Sequence, residues 1–446
     1  MNNKKLNDQF TTFFFNAFIV NGVKVRQKAW YFITITLLLI TPGTFLFAGE
    51  KLASTFVVDA GSTDRFNTPV SADLNGLGIA LDEYNFKLYE IRGQERRATP
   101  CQLENGNFPR LWWILSGMTK KGEKRTFQLM LGDSSEVRPD VICEQDEQKL
   151  IVKLHDKNVL QYNYAVTQPP EGVSSLYKRS GFIHPLWSPD GHVLTRIQPP
   201  DHRHHYGIWN PWTKTHYEGK EVDFWNLGKG EGTVRFAGFL SLVNGPVFGG
   251  FKARQEHIDF MALGEDKVAL NEVWDVRVWN ISQDDQKVWL WDLTTTLNCA
   301  SSPIDFIAYR YGGGIGFRAT EQWTKENSRV LTSEGKSRAE ADGTRARWCD
   351  VNGEFADSTR SGVLFMSYPG NREHPEPMRI WPLNANKGRG DVFFEFCPIR
   401  HKSWHLYSGR DYVLRYRMLV YDRSITKAQA EQLWQDFAHP PRVEIK

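Results

Sequence analysis

The sequence predicts an all-β protein: a large antiparallel β-sandwich with one C-terminal helix. Three observations carry that expectation. Apolar residues recur at alternate positions through long runs rich in β-branched and aromatic side chains, the period of a strand with one buried face. Clusters of Gly, Asn, Asp and Pro separate those runs, as turns require. Only one segment carries helical signals, and sheets with so little helix bury their apolar faces against each other.

The elements follow in chain order. KLIVKLH from Lys149 and VLQYNYAV from Val159 alternate cleanly. VALNEVWDVRVW from Val268 and KVWLWDLTTTLN from Lys287 flank the polar stretch Ser282–Gln286, which predicts a long hairpin. YVLRYRMLVY from Tyr412 is another strand. Thr426 is placed to cap a helix over Lys427–Phe437, and His439-Pro440-Pro441 stops it. With 41% hydrophobic residues in a chain of 446, and no repeat of fixed period, a single domain over 49–446 is expected.

Residues 1–48 read differently. Lys24, Arg26 and Lys28 precede the apolar stretch Trp30–Phe47, which ends at Leu46-Phe47-Ala48. That is the layout of a secretory signal peptide, so an exported protein, periplasmic or secreted, is expected. The alternative is a retained N-terminal membrane anchor, since about 18 apolar residues just span a bilayer. Pro42-Gly43 argues against it by interrupting a helix. Five of the 55 Lys and Arg lie in this segment with one acid, Asp8, so the remaining chain stands one charge to the acidic side. A near-neutral body lacks the basic footprint of a nucleic-acid binder. The five cysteines show no CxxC pair; they leave room for at most two disulfides and are not a zinc pattern.

Chemistry concentrates between Tyr177 and Arg235. Pro199-Pro200-Asp201 leads into His202-Arg203-His204-His205, and His184 stands upstream. In an extended segment His202 and His204 share a face. Imidazoles so spaced serve as a general base and hydrogen-bond donors, or as ligands to a divalent metal with His184 or Asp223 as a third. The remaining alternative is a tight loop whose histidines are satisfied by backbone. Trp209, Trp212 and Trp225 beside Glu218, Glu221 and Asp223 match the apolar face and hydroxyl rim of a sugar. Arg310, Arg318, Arg345 and Arg347 offer planar forks for a carboxylate or sulfate, or salt bridges to Glu321, Glu334 and Asp342. Gly312–Gly316 lacks the following Lys-Ser/Thr of a phosphate loop and is read as a bulge or close strand approach. The Pro-constrained loop Asn371–Arg379 adds His374 and Glu376, expected to reach the same cleft.

The text SGFIHPLWSPDGHVLT and PPDHRHHYGIWNPWTKTHYEGKEVDFWNLGKG, continued by YGGGIGFRATE from Tyr311, ADGTRARWC from Ala341 and FFEFCP from Phe393, resembles a bacterial family of unknown function labelled methane oxygenase PmoA-like. The resemblance implies a galactose-mutarotase-like supersandwich exported by bacteria that degrade polysaccharides, and no established chemistry. The membrane-embedded methane enzyme in that label has spans this body lacks.

The expected function is therefore an exported carbohydrate-active enzyme on oligosaccharides, acidic ones included. His202, His204 and His205 are the base or donors, Glu221 or Asp223 the acid/base partner. His184, Arg203, Trp209, Trp225, Arg310, Arg318, His374 and Glu376 are the substrate contacts. Two carboxylates across the cleft favour hydrolysis; a His–Arg pair beside a uronate favours elimination, and epimerisation is the third chemistry. The competing classes are a non-catalytic glycan-binding protein and a His-ligated metalloenzyme.

Overall fold

The computed structural model describes residues 50–79, 81, 85–132, 138–210, 212–281 and 287–446. The expected export segment 1–48 and the turn of the expected hairpin lie outside them. Lys267–Trp279 and Val288–Cys299 pair antiparallel, in register from Leu270↔Cys299 to Trp279↔Leu290. They form the middle of an eight-stranded antiparallel sheet that continues on one side through Phe248–Asp259 to Gly232–Val243. On the other side it continues through Asp411–Asp422, Arg360–Ser367 and Trp348–Glu354 to Ser328–Thr332.

A nine-stranded antiparallel sheet lies against it. Its centre is Glu376–Ile380, Phe393–Phe396, Ile315–Arg318, Ile208–Trp209 and Phe182–Leu186, in that order. Ile183, Ile208, Phe317, Met378 and Phe394 from this sheet share one buried core with Trp274, Trp291, Val363 and Tyr416 from the other. Because side chains alternate across a sheet, the chain neighbours Phe182, Trp209 and Phe393 project from the opposite face. There they pack with Tyr206, Trp225, Leu227 and Trp381. Both faces of this sheet are covered, and the second, aromatic layer is the floor of the site described below.

Within the compact unit Ala48–Lys446 the first strands build sheets of their own. Lys51–Asp59, Lys124–Gly132, Asn85–Arg92 and Glu95–Thr99 join Arg442–Ile445 in a five-stranded sheet, and Arg65–Asp73, Arg110–Thr119 and Cys101–Glu104 form a three-stranded one. Phe56, Val70, Trp113 and Phe127 fill the space between them, apart from the main core. The C-terminal helix Lys427–Ala438 starts at Thr426, whose side chain and that of Gln429 form a reciprocal capping box. Its Ala430, Trp434 and Ala438 cover Trp279, Leu364 and Leu419 on the outer face of the eight-stranded sheet.

The glycine run behaves as a close-approach device. A Cβ on Gly313, at φ +101, would stand 2.1 Å from the Trp212 ring, and one on Gly314, at φ +69, 2.0 Å from the Phe396 carbonyl oxygen. All five cysteines are free thiols. Among the described residues no helix is long and apolar enough to cross a membrane.

Candidate functional site

The strand Ile208–Trp209 is preceded by a tight loop. Gln198 enters it at φ +45, the His202 amide donates to the Pro199 carbonyl at 3.0 Å, and the His205 amide donates to the His202 carbonyl at 3.0 Å. The loop therefore turns back on itself, and the three imidazoles gather instead of alternating. His202 lies 5.5 Å from His204 and 4.8 Å from His205, centroid to centroid. All three line one cavity of about 340 Å³ together with Trp225, Asn226, Arg310, Tyr311, Arg379 and Trp381.

A charged brace holds the loop from behind. His202 Nδ1 meets Asp201 Oδ2 at 2.9 Å. Arg318 Nη2 donates to Asp201 at 2.9 Å and to Asp391 at 2.6 Å, with its guanidinium 4.5 Å from the Trp381 ring centroid. Burial works to raise the Asp201 pKa, but the His202 bond and the Arg318 charge outweigh it and hold the carboxyl well below the usual range. Arg318, expected to clamp a substrate, is itself 1% exposed and occupied by these carboxylates. Arg203 is also engaged, donating to the Gln198 carbonyl at 2.7 Å.

His204 has a different environment. Among the described residues its ring has no hydrogen-bond partner, and burial, followed by the His202 charge, pushes its pKa down to about 4. It is thus neutral above pH 5, and the residue lines the cavity. His205 is buried at 2% exposure, with Nδ1 unpartnered, and burial holds it well below the ordinary histidine value.

The carboxylates are not placed as expected. Asp223 is fully buried and saturated: it accepts from Thr213 Oγ1 at 2.9 Å, the Trp225 and Asn226 amides at 2.9 and 2.8 Å, Asn226 Nδ2 at 2.7 Å and Lys229 Nζ at 2.9 Å. Burial raises its pKa and the Asn226 bonds lower it further, so it stays ionised and fixes the loop that carries Trp225 and Asn226. Glu221 is exposed on a short hairpin, 4.0 Å from His216, and lines neither cavity of the cleft; Glu218 is tied to Lys267 and Ser302. Trp209 and Trp212 are fully buried. Trp212 stacks on Phe306 in the main core at 4.0 Å, so it offers no face to a ligand. Trp225 and Trp381 line the cavity.

His184, bonded to Thr195 Oγ1 at 2.9 Å, lies outside the cavity lining. So do His374 and Glu376: His374 precedes the strand Glu376–Ile380, and alternation along that strand puts Glu376 on the core side with Met378 while Arg379 lines the cleft. His374 bonds Ser367 Oγ at 3.1 Å and lies parallel to Trp434 near the C-terminal helix. Glu376 is buried among Ser367, Asn371 and Tyr416, and burial raises its pKa to about 7. A raised carboxyl pKa means that between about pH 4.5 and 7 the folded chain holds a proton the unfolded chain has released, so stability falls as pH rises through that window. Glu376→Gln is expected to leave stability near wild type below pH 4.5 and to raise it by up to about 3 kcal/mol at pH 8. Urea midpoints at the two pH values test this; equal shifts at both would contradict it.

Arg345 pairs with Glu373 and Arg347 with Glu431. Arg310 is the one of the four proposed arginines that reaches the cavity, and among the described residues no carboxylate stands within ion-pair distance of it. Asn226, Tyr309, Tyr311 and Arg379 complete the site. The run Tyr309-Arg310-Tyr311, a cation between two aromatics, is the local signal from which the two tyrosines could have been found.

A second cavity of about 430 Å³, lined by Tyr177, Lys214, Asp223, Lys229 and Tyr309, adjoins the first. His204, Asn226 and Tyr311 line both. Burial raises the Tyr311 pKa, which keeps its hydroxyl protonated. The histidines do not form a metal cage. His202 Nδ1 is taken by Asp201, and among the described residues no group of three or more His, Cys, Asp or Glu is arranged to hold a metal ion.

Residues 149–435 match the family model DUF6807, a family of unknown function, and the chain belongs to that family. The match covers the cleft and leaves out every strand of the five- and three-stranded sheets, which lie before residue 149 or after residue 435. Comparison with curated proteins gives no match.

Proposed function

We propose that this DUF6807 protein is an exported carbohydrate-active enzyme that cleaves acidic oligosaccharides by β-elimination. The observation that carries the reading is the composition of the cleft: a neutral imidazole and a protonated tyrosine beside an arginine, the imidazole without a hydrogen-bond partner and the arginine without an ion-pair partner among the described residues. Hydrolysis by the usual two-carboxylate route needs a pair of working acids across the bond. Among the described lining residues of both cavities the only carboxylate is Asp223, saturated by hydrogen bonds. Elimination needs none.

In this scheme Arg310 neutralises the uronate carboxylate and stabilises the charge that develops on it. His204 takes the proton from the carbon next to that carboxylate, and the electron pair left behind forms the new carbon–carbon double bond. The bond from the ring to the glycosidic oxygen breaks, and Tyr311 delivers a proton to that oxygen. His204 and Tyr311 return to their starting states by exchanging the proton through solvent. The resemblance to exported proteins of polysaccharide-degrading bacteria supports the substrate class.

Incubation of residues 49–446 with uronate oligosaccharides is the test, with products followed by mass and by ultraviolet absorbance of the unsaturated uronate. Two fragments whose masses sum to the substrate, one of them absorbing, are expected. Fragments that together carry one added water would replace elimination with hydrolysis. Tight binding without any product would make this a glycan-binding protein.

A further inference from the structure

The cleft is two cavities meeting at His204, Asn226 and Tyr311, and its cations are divided between them. Four Lys or Arg side chains line the two spaces. Arg379 in the first is neutralised by Asp342 at 2.7 Å, and Lys229 in the second by Asp223 at 2.9 Å. Arg310 in the first cavity and Lys214 in the second are left; among the described residues neither has a carboxylate within ion-pair distance. A protein that leaves two cations unpaired along one cleft favours an anionic occupant at each, since either charge gains a partner only when the ligand arrives.

The two cations lie beside a contacting aromatic pair. Lys214 Nζ lies 5.0 Å from the Tyr309 ring centroid and the Arg310 guanidinium 5.7 Å from that of Tyr311, both within cation–π range. The two rings meet edge to face at 4.8 Å. The backbone beneath is tied on both sides: Ile307 N donates to the Lys214 carbonyl at 3.0 Å, and Arg400 Nη1 to the Arg310 carbonyl at 2.8 Å. The order Lys214, Tyr309, Tyr311, Arg310 thus runs from one cavity to the other, past the junction where His204 stands. Because the backbone carrying each cation is tied, the two charges stay on opposite sides of the junction, and their separation favours ligands with matched anions.

Resting on the reading of the cleft as a site for acidic oligosaccharides, we propose that its substrate carries uronates on consecutive residues. Arg310 reads the carboxylate of the residue that undergoes elimination, and Lys214 reads the carboxylate of its neighbour across the bond. The enzyme is then selective for runs of uronate over chains in which uronate alternates with neutral sugar.

Calorimetric titration tests this with two probes of equal length, a homo-uronate oligosaccharide and an alternating uronate–neutral one, against wild type, Lys214→Gln and Arg310→Gln. Wild type is expected to bind the homo-uronate at least about tenfold more tightly, a difference of about 1.4 kcal/mol. Lys214→Gln is expected to lose about that tenfold preference while binding the alternating probe within about twofold of wild type, and Arg310→Gln to weaken both. Equal wild-type affinity for the two probes, or a Lys214→Gln loss of the same size on both, overturns the two-anion assignment and leaves the parent reading standing. Wild type that binds neither probe, with an unchanged melting transition to show it is folded, overturns the parent reading itself. Melting curves of both variants confirm that binding losses are not unfolding.

Discussion

His204→Ala is expected to lower turnover on uronate oligosaccharides by about 10²–10⁴, the contribution of a positioned general base. Three observations single out this imidazole among its neighbours. His202 is committed to Asp201, and His205 is buried beneath aromatic rings. His204 lines both cavities and, among the described residues, meets no hydrogen-bonding group. Because burial depresses its pKa to about 4, the base form dominates from pH 5 upward. The pH–rate profile should therefore show an acid limb near pH 4 in place of the ordinary histidine value, and no fall before Tyr311 ionises in strong alkali. Tyr311→Phe removes the proton donor without disturbing the ring contact to Trp225 at 5.1 Å, and a loss of similar size is expected. Wild-type turnover in either variant, measured on folded protein, would remove that residue from the mechanism.

Glu272→Ala is expected to cost about 3–5 kcal/mol of stability, the range for removing one partner from a buried charged network. Glu272 is 1% exposed on the strand Lys267–Trp279. His257 Nε2 meets its Oε2 at 2.8 Å, and Thr295 Oγ1, Asn210 Nδ2 and Trp274 Nε1 all bond Oε1. Burial alone would raise the Glu272 pKa, yet His257 and these donors hold it below the ordinary value. Truncation strands four polar groups in the interior, and each retains its desolvation cost. A depressed carboxyl pKa stabilises the fold above the unfolded value of 4.5 and loses that contribution as pH falls through the folded value, so the wild-type advantage over Glu272→Ala should shrink in acid. Denaturant unfolding at pH 7 and pH 3 measures both effects; a loss under about 1 kcal/mol at pH 7 would contradict the network's role. The network also matters for the cleft. Asn210 directly follows Trp209, so it pins the strand carrying the aromatic floor to the opposite sheet.

How much of this could be read along the chain depended on how local each signal was. Strand alternation, the pairing of 268–279 with 287–298 and the N-cap at Thr426 rest on signals local in the chain, and each was visible before any contact was known; the reciprocal Gln429 half of the capping box was not. The histidine loop was visible for the same reason: three imidazoles after Pro-Pro-Asp are locally unusual. The roles inside it were not. Asp201 and Arg318 are 117 residues apart, and only their pairing turns Arg318 from a substrate clamp into a brace. Trp209 and Trp212 sit three residues apart in one polar-looking stretch, yet one joins the aromatic floor and the other the main core. His374 and Glu376 were drawn to the cleft by composition, but side-chain alternation along Glu376–Ile380 brings Arg379 to it instead.

The amino-acid sequence by itself determined that the described part of this chain is all-β with one C-terminal helix, and that an unusual run of imidazoles stands at His202–His205. Periodicity and capping act through neighbouring residues, so they survive without tertiary information. The tertiary structure alone decided which carboxylates are spent on hydrogen bonds, which cations remain unpaired and which imidazole is free. Those properties belong to pairs of groups far apart in the chain, and burial changes the charge state and availability of each only once the sheets have packed.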